Sequence, residues 1–455
     1  PLQGHLLIIE RALYGLQTSG ARWHDRLADV LRHMGYFQCK ADPDLWIKDC
    51  GRHYEYVLVY VDDLMCIGKN PQQFFDSLIN EYNFKLKGVG QPSYHLGGDF
   101  FRDADGTLAW GAKSYVKKIV INYERMFGSK PREYTSPIAD KDHPELDTTM
   151  FLDETGIKQY QSLIGALQWL VTLGRFDILV GVSTMSSYRV APRKGHLDRL
   201  QRILGYVKKN PDGAIRFRVN IPDHESQGTP NVFDWTQRYG QVQEELPPNM
   251  PTPKGKVMRT TTHEDANLYH DTVTGRSVTG ILHLLNQTPI AWYSKRQGRV
   301  QTATYGSEFM AARTASEQII DLRYTLRMMG IPIDGPSWMF GDNQSVITSA
   351  TIPESTLNKR HNALSYHLVR ECIAAQIINF MHVPGYVNPS DLLTKFLSWS
   401  NFWPLIQPLL FWKGETLLNQ PLPSIIKNIK DPPSGLRGVS DGINPSTGSR
   451  HTEPP

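Results

Sequence analysis

The chain has 455 residues, 40% hydrophobic, 21% charged and 10% aromatic, with a formal net charge of +4. That length suits about two to four globular units, and that composition excludes wholesale disorder and collagen-like repeats. The greasiest run, 163–182, is broken by Gln168, Arg175 and Asp177, so it reads as buried core and no membrane span is expected. The four cysteines (Cys39, Cys50, Cys66, Cys372) lack C-x-x-C spacing, which argues against a zinc site or a disulfide framework and fits a reducing intracellular compartment. The sequence opens at Pro1 on a helix-like segment with no signal peptide, and reads as a piece of a longer polypeptide.

In chain order, residues 1–135 mix helix and strand. Apolar residues at Trp23, Leu27, Val30 and Leu31 predict a helix that stops near Gly35. Residues 44–48 and 54–61, rich in β-branched and aromatic side chains, predict strands, and 113–127 returns to helical spacing. Residues 136–220 read as a helical connection with helices over 160–171 and 194–208. Residues 221–256, rich in Pro, Gly, Gln and acids, read as a linker. Residues 257–400 alternate strand and helix as an α/β domain does, and 401–455 reads as a mostly disordered tail, with seven prolines and four glycines in its last 35 residues.

Two groups of acids stand out. Asp62 and Asp63 interrupt two apolar strands, so a turn must present them, either as a solvated acidic turn or as hard oxygen ligands for phosphoryl transfer. In the third block, Asp265 ends a strand predicted over 257–263, and further strands are predicted over 280–285, 289–293 and 337–341. Glu308 opens a helix whose apolar stripe is Ala312, Ala315, Ile319, Leu322 and Leu326, so its carboxylate faces the core edge. Asp342 follows the strand at 337–341, and Asp391 follows Asn388-Pro389, a fitting N-cap and first helical residue. Singly, Asp342 and Asp391 could merely favour helix N-termini. Glu308 on a buried stripe calls for a metal or another cation nearby.

Tyr60-Val-Asp62-Asp63 resembles the Tyr-x-Asp-Asp box of reverse transcriptases. Its neighbours, Ala12-Leu-Tyr-Gly-Leu16 with Ala21-Arg-Trp23, Tyr94-His-Leu-Gly97, Tyr160-Gln-Ser-Leu-Ile-Gly165 and Arg175-Phe-Asp177, are similar to segments of copia-type retrotransposon polyproteins. Asp265-Ala-Asn267, Ser307-Glu308, Asp342-Asn-Gln-Ser345, Asp391-Leu-Leu-Thr-Lys395 and Gly275-Arg-Ser-Val-Thr-Gly280 resemble that family's ribonuclease H motifs. Gln17-Thr-Ser-Gly20, Phe176 and Asn267 depart from the pattern.

The resemblance implies an α+β reverse-transcriptase palm/thumb fragment (1–135), followed by an α/β ribonuclease H-like domain (257–400). It implies Mg²⁺ in two-metal sites, with Mn²⁺ as a substitute, held by Asp62 and Asp63 in one domain and by Asp265, Glu308, Asp342 and Asp391 in the other. The implied partners are RNA:DNA hybrid, RNA template with DNA primer, and other products of the polyprotein. Lys295, Arg296, Lys359, Arg360 and Arg370 are the candidate phosphate contacts. The family's further polymerase Asp lies upstream of the Ala12 motif, so polymerisation is expected only in the full polyprotein, whereas the ribonuclease acids are all present. His382 is expected on a strand, outside catalysis, and Trp23, Tyr94 and Trp169 are expected in the core. The family's cycle implies an intracellular product, particle-associated in the cytoplasm and then nuclear. The competing reading is a decayed, non-catalytic nucleic-acid-binding remnant. Another type of α/β hydrolase finds no G-x-S-x-G or P-loop to support it.

Overall fold

The computed structural model describes residues 16, 18–103, 105–357 and 362–411. In the first unit α1 (Ser19–His33) buries Leu27, Ala28 and Leu31 against a meander, because those residues recur on one face at helical spacing. The meander is antiparallel in the order β1 (Phe37–Gln38), β2 (Leu45–Asp49), β3 (Tyr54–Tyr60) and β4 (Asp63–Ile67), closed by α2 (Pro71–Asn80) through Phe74 and Leu78. Trp23 packs partly buried against this core.

A second antiparallel sheet runs β5 (Tyr94–His95), β6 (Gly98–Arg102), β7 (Leu108–Gly111) and, from much later in the chain, β8 (Ala214–Arg216). Against it pack α3 (Lys113–Phe127), α4 (Glu154–Thr172), α5 (Leu179–Met185) and α6 (Lys194–Lys209). Tyr94 and Trp169 do not join this core. They are 58% and 40% exposed: Tyr94 sits on the short edge strand β5, and Trp169 falls off the stripe of α4 that the buried Tyr160, Leu163, Leu167 and Leu170 define.

Residues 221–256 are anchored along the third unit and reach the first, where Tyr54 OH donates to the Thr252 carbonyl at 2.8 Å, Lys254 pairs with Asp49 and Met250 packs beside Cys39. They include α7 (Thr236–Tyr239), and Trp235 beside it is buried in the third unit's core. Glu244 accepts from Arg323 Nε and Nη2 at 2.7 Å each, and pairs with Arg327 as well. Composition hid this because the segment's contacts are scattered single anchors with no periodicity.

The third unit holds a five-stranded sheet in the order β11-β10-β9-β12-β13, formed by β9 (Thr260–Asp271), β10 (Arg276–Leu285), β11 (Thr288–Arg296), β12 (Ser337–Gly341) and β13 (Ile378–His382). The first three pair antiparallel, and β9-β12-β13 pair parallel, with α8 (Thr304–Met328), α9 (Gln344–Thr351) and α10 (Ala363–Ala374) in the crossovers. Strand β9 continues past Asp265 to Asp271, so Asp265 sits inside a strand rather than at its end. Helix α8 is about 37 Å long at 1.5 Å per residue. Its far end docks on the first unit, where Cys39 Sγ and Tyr56 OH donate to the carbonyls of Met328 and Met329 at 3.5 and 2.8 Å.

The region expected as tail begins with a helix. In α11 (Trp399–Leu410) the residues Phe402, Leu405, Ile406, Leu409 and Leu410 are buried, and they share one core with the helical connection and with Leu282, Leu284, Leu392 and Leu393 of the third unit. Residues 412–455 lie outside the described residues.

His224, brought in by the 221–256 segment, is 2% exposed, bonds Thr261 Oγ1 at 2.7 Å through Nε2, and packs on Trp338 and Phe340. Burial, reinforced by Arg259, pushes its imidazole down to about 4. The folded chain therefore binds fewer protons than the unfolded chain between about pH 4 and 6.5, and stability held above that window is lost as pH falls through it. We expect His224 to cost the fold about 2–3 kcal/mol between pH 7 and pH 4.5. Urea unfolding of wild type and His224→Gln at both pH values checks this; equal acid losses in the two proteins would refute it.

Candidate active site

Four carboxylates converge on one edge of the five-stranded sheet. Asp265 projects from β9, Asp342 follows the last residue of β12, and Asp391 sits in a 3₁₀ turn over Pro389–Leu393. Asn388 caps that turn by accepting from Ser390 N at 3.2 Å, and its amide donates to the carbonyl of Glu264 at 2.9 Å, so the cap pins Asp391 to the sheet. Carboxylate oxygens of Asp265, Asp342 and Asp391 all lie within 4.8 Å of one another, forming the only such acid, His or Cys group among the described residues. Glu308, buried in the second turn of α8, accepts the Ala266 N–H at 3.0 Å and lines the same open cleft of about 500 Å³ as Asp265, Asp342 and Lys395.

Gly280 makes the convergence sterically feasible. It pairs with Asp265 across β9–β10, and a Cβ there would lie 2.6 Å from Thr394 Cγ2 and 2.9 Å from both Leu393 Cβ and the Ser390 carbonyl. The turn carrying Asp391 thus rests directly on glycine backbone. We expect Gly280→Ala to push residues 390–394 outward, lowering any cleavage rate about 100-fold for a stability loss of about 1–3 kcal/mol. Single-turnover rates and thermal melts check this, and an unchanged rate would contradict it.

The electrostatics are those of acids crowded out of water. Burial first, and then the Asp265 carboxylate, raise Glu308 well above the usual range, raise Asp342, and push Asp391 up to about 7. Lys395, four residues after Asp391, is the built-in cation: its Nζ lies 2.7 Å from Asp391 Oδ1 and 3.1 Å from Asp265 Oδ1. Burial works to lower its ammonium, but Asp265 and Asp391 outweigh burial and hold it raised. Thr394 Oγ1 donates to Asp265 Oδ2.

Sequence reasoning missed Lys395, Thr394 and Gly280 as site residues, although all three stand inside quoted motifs. It also missed Glu264, 2% exposed on the opposite face of β9, with Oε2 unpaired and the carboxyl raised by burial and then by Asp265. His382 closes β13 as expected, and its exposed ring donates to the Asp342 carbonyl at 3.2 Å.

The candidate phosphate contacts fare unevenly. Lys295 is exposed on β11. Arg296 is engaged with Asp271 at 2.7 Å. Arg370 is corrected: it is 2% exposed and donates to the carbonyls of Ser349, Ile352 and Pro353, because its position on α10 points inward to the end of α9 and the turn after it. Lys359 and Arg360 lie outside the described residues.

Asp62 and Asp63 stand apart from this cluster. The β3–β4 hairpin turns through Val61 and Asp62, with Tyr60 paired to Asp63. Val61 has φ +55° and is 72% exposed, a backbone that a β-branched residue adopts only under strain. Both acids are exposed, and the apolar strands around them are half-open, with Leu58, Tyr60 and Ile67 at 39%, 52% and 52% exposure. Among the described residues no third His, Cys, Asp or Glu joins them in a metal-holding group.

Residues 3–136 match the family described as "Reverse transcriptase (RNA-dependent DNA polymerase)". The chain is 25% identical over 395 residues to the retrovirus-related Pol polyprotein from transposon RE1 of Arabidopsis thaliana, covering 87% of this chain and 24% of that one. It is 22% identical over 404 residues to the corresponding polyprotein from transposon TNT 1-94 of Nicotiana tabacum, covering 87% and 27%. The chain thus spans about a quarter of these curated relatives. Among solved structures, the RNase H1 of Halobacterium salinarum aligns over 30% of this chain and 94% of that one, at 18% identity and a TM-score of 0.24. A foamy viral protease-reverse transcriptase in complex with RNA/DNA hybrid aligns over 84% and 61%, at 12% identity and a TM-score of 0.22.

Proposed function

We propose that this chain, a copia-type retrotransposon polyprotein sequence with a reverse transcriptase region, cleaves the RNA strand of RNA:DNA hybrids at the acid cluster of its ribonuclease H-like unit. The observation that carries the reading is the meeting, within 4.8 Å, of three carboxylates drawn from segments far apart in the chain. Such a set of hard oxygens fits a divalent ion such as Mg²⁺, with Mn²⁺ as a substitute, and Asp265, Asp342 and Asp391 would hold it with Glu308 at the rim. When bound, such ions activate water and neutralise charge at the leaving oxygen.

The chain's own residues supply the rest. Asn388 and Gly280 fix Asp391 against the sheet, and a duplex would lie over the open cleft at the sheet edge. Lys295, exposed on β11 two strands from Asp265, would meet backbone phosphates, and preference for hybrid would rest on 2′-hydroxyl contacts across a wide minor groove. Asp62 and Asp63 are assigned to RNA-directed DNA synthesis on RNA template and DNA primer within the full polyprotein, an intracellular activity.

The test is incubation of the chain with Mg²⁺ and end-labelled RNA, either paired to DNA or paired to RNA. Cleavage confined to the hybrid and lost in Asp342→Asn is expected. Absent cleavage, or cleavage that survives Asp342→Asn, overturns the assignment and leaves a non-catalytic binder.

A further inference from the structure

We infer that Lys395 is an internal counter-cation of the acid cluster that competes with the divalent ion for Asp265 and Asp391, holding the metal-free site together and setting how much metal it needs. The inference rests on the metal-site reading above. Three carboxylates within 4.8 Å repel one another unless a positive charge stands among them. Lys395 Nζ stands there, 2.7 Å from Asp391 Oδ1 and 3.1 Å from Asp265 Oδ1. Position is imposed by local chain geometry: the Lys395 N–H bonds the Asp391 carbonyl at 3.0 Å, which stacks the lysine over that aspartate. Thr394 Oγ1 takes the other oxygen of Asp265, so the bond from Nζ to Oδ1 fills the remaining place on that carboxylate's inner side.

A carboxylate oxygen can accept from an ammonium and ligate a divalent ion at once, but two cations held so close repel, so each weakens the other's hold on these two oxygens. Lysine is the residue suited to yielding them, since its charge rides on a flexible four-carbon stem and its side chain is 30% exposed. An ion entering the cluster therefore meets an ammonium already paired there, and the free energy of weakening or moving that pair is subtracted from metal affinity.

Mn²⁺ binding to the full chain, followed by electron paramagnetic resonance of the free ion, tests this with no reliance on activity. Lys395→Met is expected to bind Mn²⁺ at least about fivefold more tightly than wild type, to melt lower without metal, and to gain more on adding it. Lys395→Arg, which keeps the charge, is expected to stay near wild type, and Lys395→Gln to follow Lys395→Met should the methionine variant fold poorly. Equal or weaker Mn²⁺ binding by folded Lys395→Met or Lys395→Gln overturns the inference and leaves the nuclease reading standing. Mn²⁺ bound by neither wild type nor variants overturns both.

Discussion

Asp265→Asn is expected to remove RNA cleavage, by at least about a thousandfold, without unfolding the chain. Asp265 is the acid around which the others are arranged: its charge follows burial as a cause of the raised Glu308, Asp342 and Asp391. Asparagine keeps its shape but takes a full negative charge from the centre of the site. Ions at such a site stabilise several kcal/mol of transition-state charge, and about 4 kcal/mol is a thousandfold in rate. For the fold the terms oppose one another. The substitution weakens the Lys395 contact at 3.1 Å, while Asp391, Asp342 and Glu308 lose a repelling neighbour. Melting temperature should therefore hold or rise as activity disappears, which separates a site residue from a structural one. Residual cleavage within tenfold of wild type would contradict the assignment.

The second large effect lies in the helical connection. Arg175 and Asp177, 1% and 0% exposed, form a two-pronged pair with Arg175 Nε to Asp177 Oδ1 at 3.0 Å and Nη2 to Oδ2 at 2.8 Å. Tyr206 OH donates to Asp177 Oδ2 at 2.8 Å, and Arg175 Nη1 donates to the Asn210 carbonyl at 2.8 Å while its guanidinium lies over the rings of Tyr206 and Phe411. Asp177→Ala leaves an enclosed guanidinium without its counter-charge, and should cost about 3–5 kcal/mol. The exposed pair Lys158–Glu154 should be worth under about 0.5 kcal/mol. Removing both charges with Arg175→Met and Asp177→Leu should cost less than Asp177→Ala alone, because no orphan charge remains. Urea denaturation of the variants decides this, and additive losses would show that the pair does not act as a unit.

Much of the site was legible because its acids sit in short local motifs, although Asp265 lies inside β9 and not at the strand end expected. The helix over 113–127 and the strand over 337–341 have the limits their periodicity predicts. What stayed hidden is relational. Gly280 matters only because a turn more than a hundred residues later lies against it, and Lys395 only because its stem curls back over Asp391. Arg370 reads as a phosphate contact in the sequence because nothing local reveals the three carbonyls it satisfies. Helix α11 was lost to its own prolines, Pro404 and Pro408, although Phe402, Leu405, Ile406, Leu409 and Leu410 keep helical spacing beside them.

Helix α8 has a mechanical consequence. One end carries Glu308, and the other is bonded through Met328 and Met329 to the sheet that bears Asp62 and Asp63. The twenty residue steps from Glu308 to Met328 make a lever arm of about 30 Å. A tilt of about 1° at the docked end moves Glu308 by about 0.5 Å, the tolerance within which catalytic groups must be held. Glu308 and the docking contacts of Cys39 and Tyr56 thus share one rod, and a substitution at the docked end is expected to register at the acids.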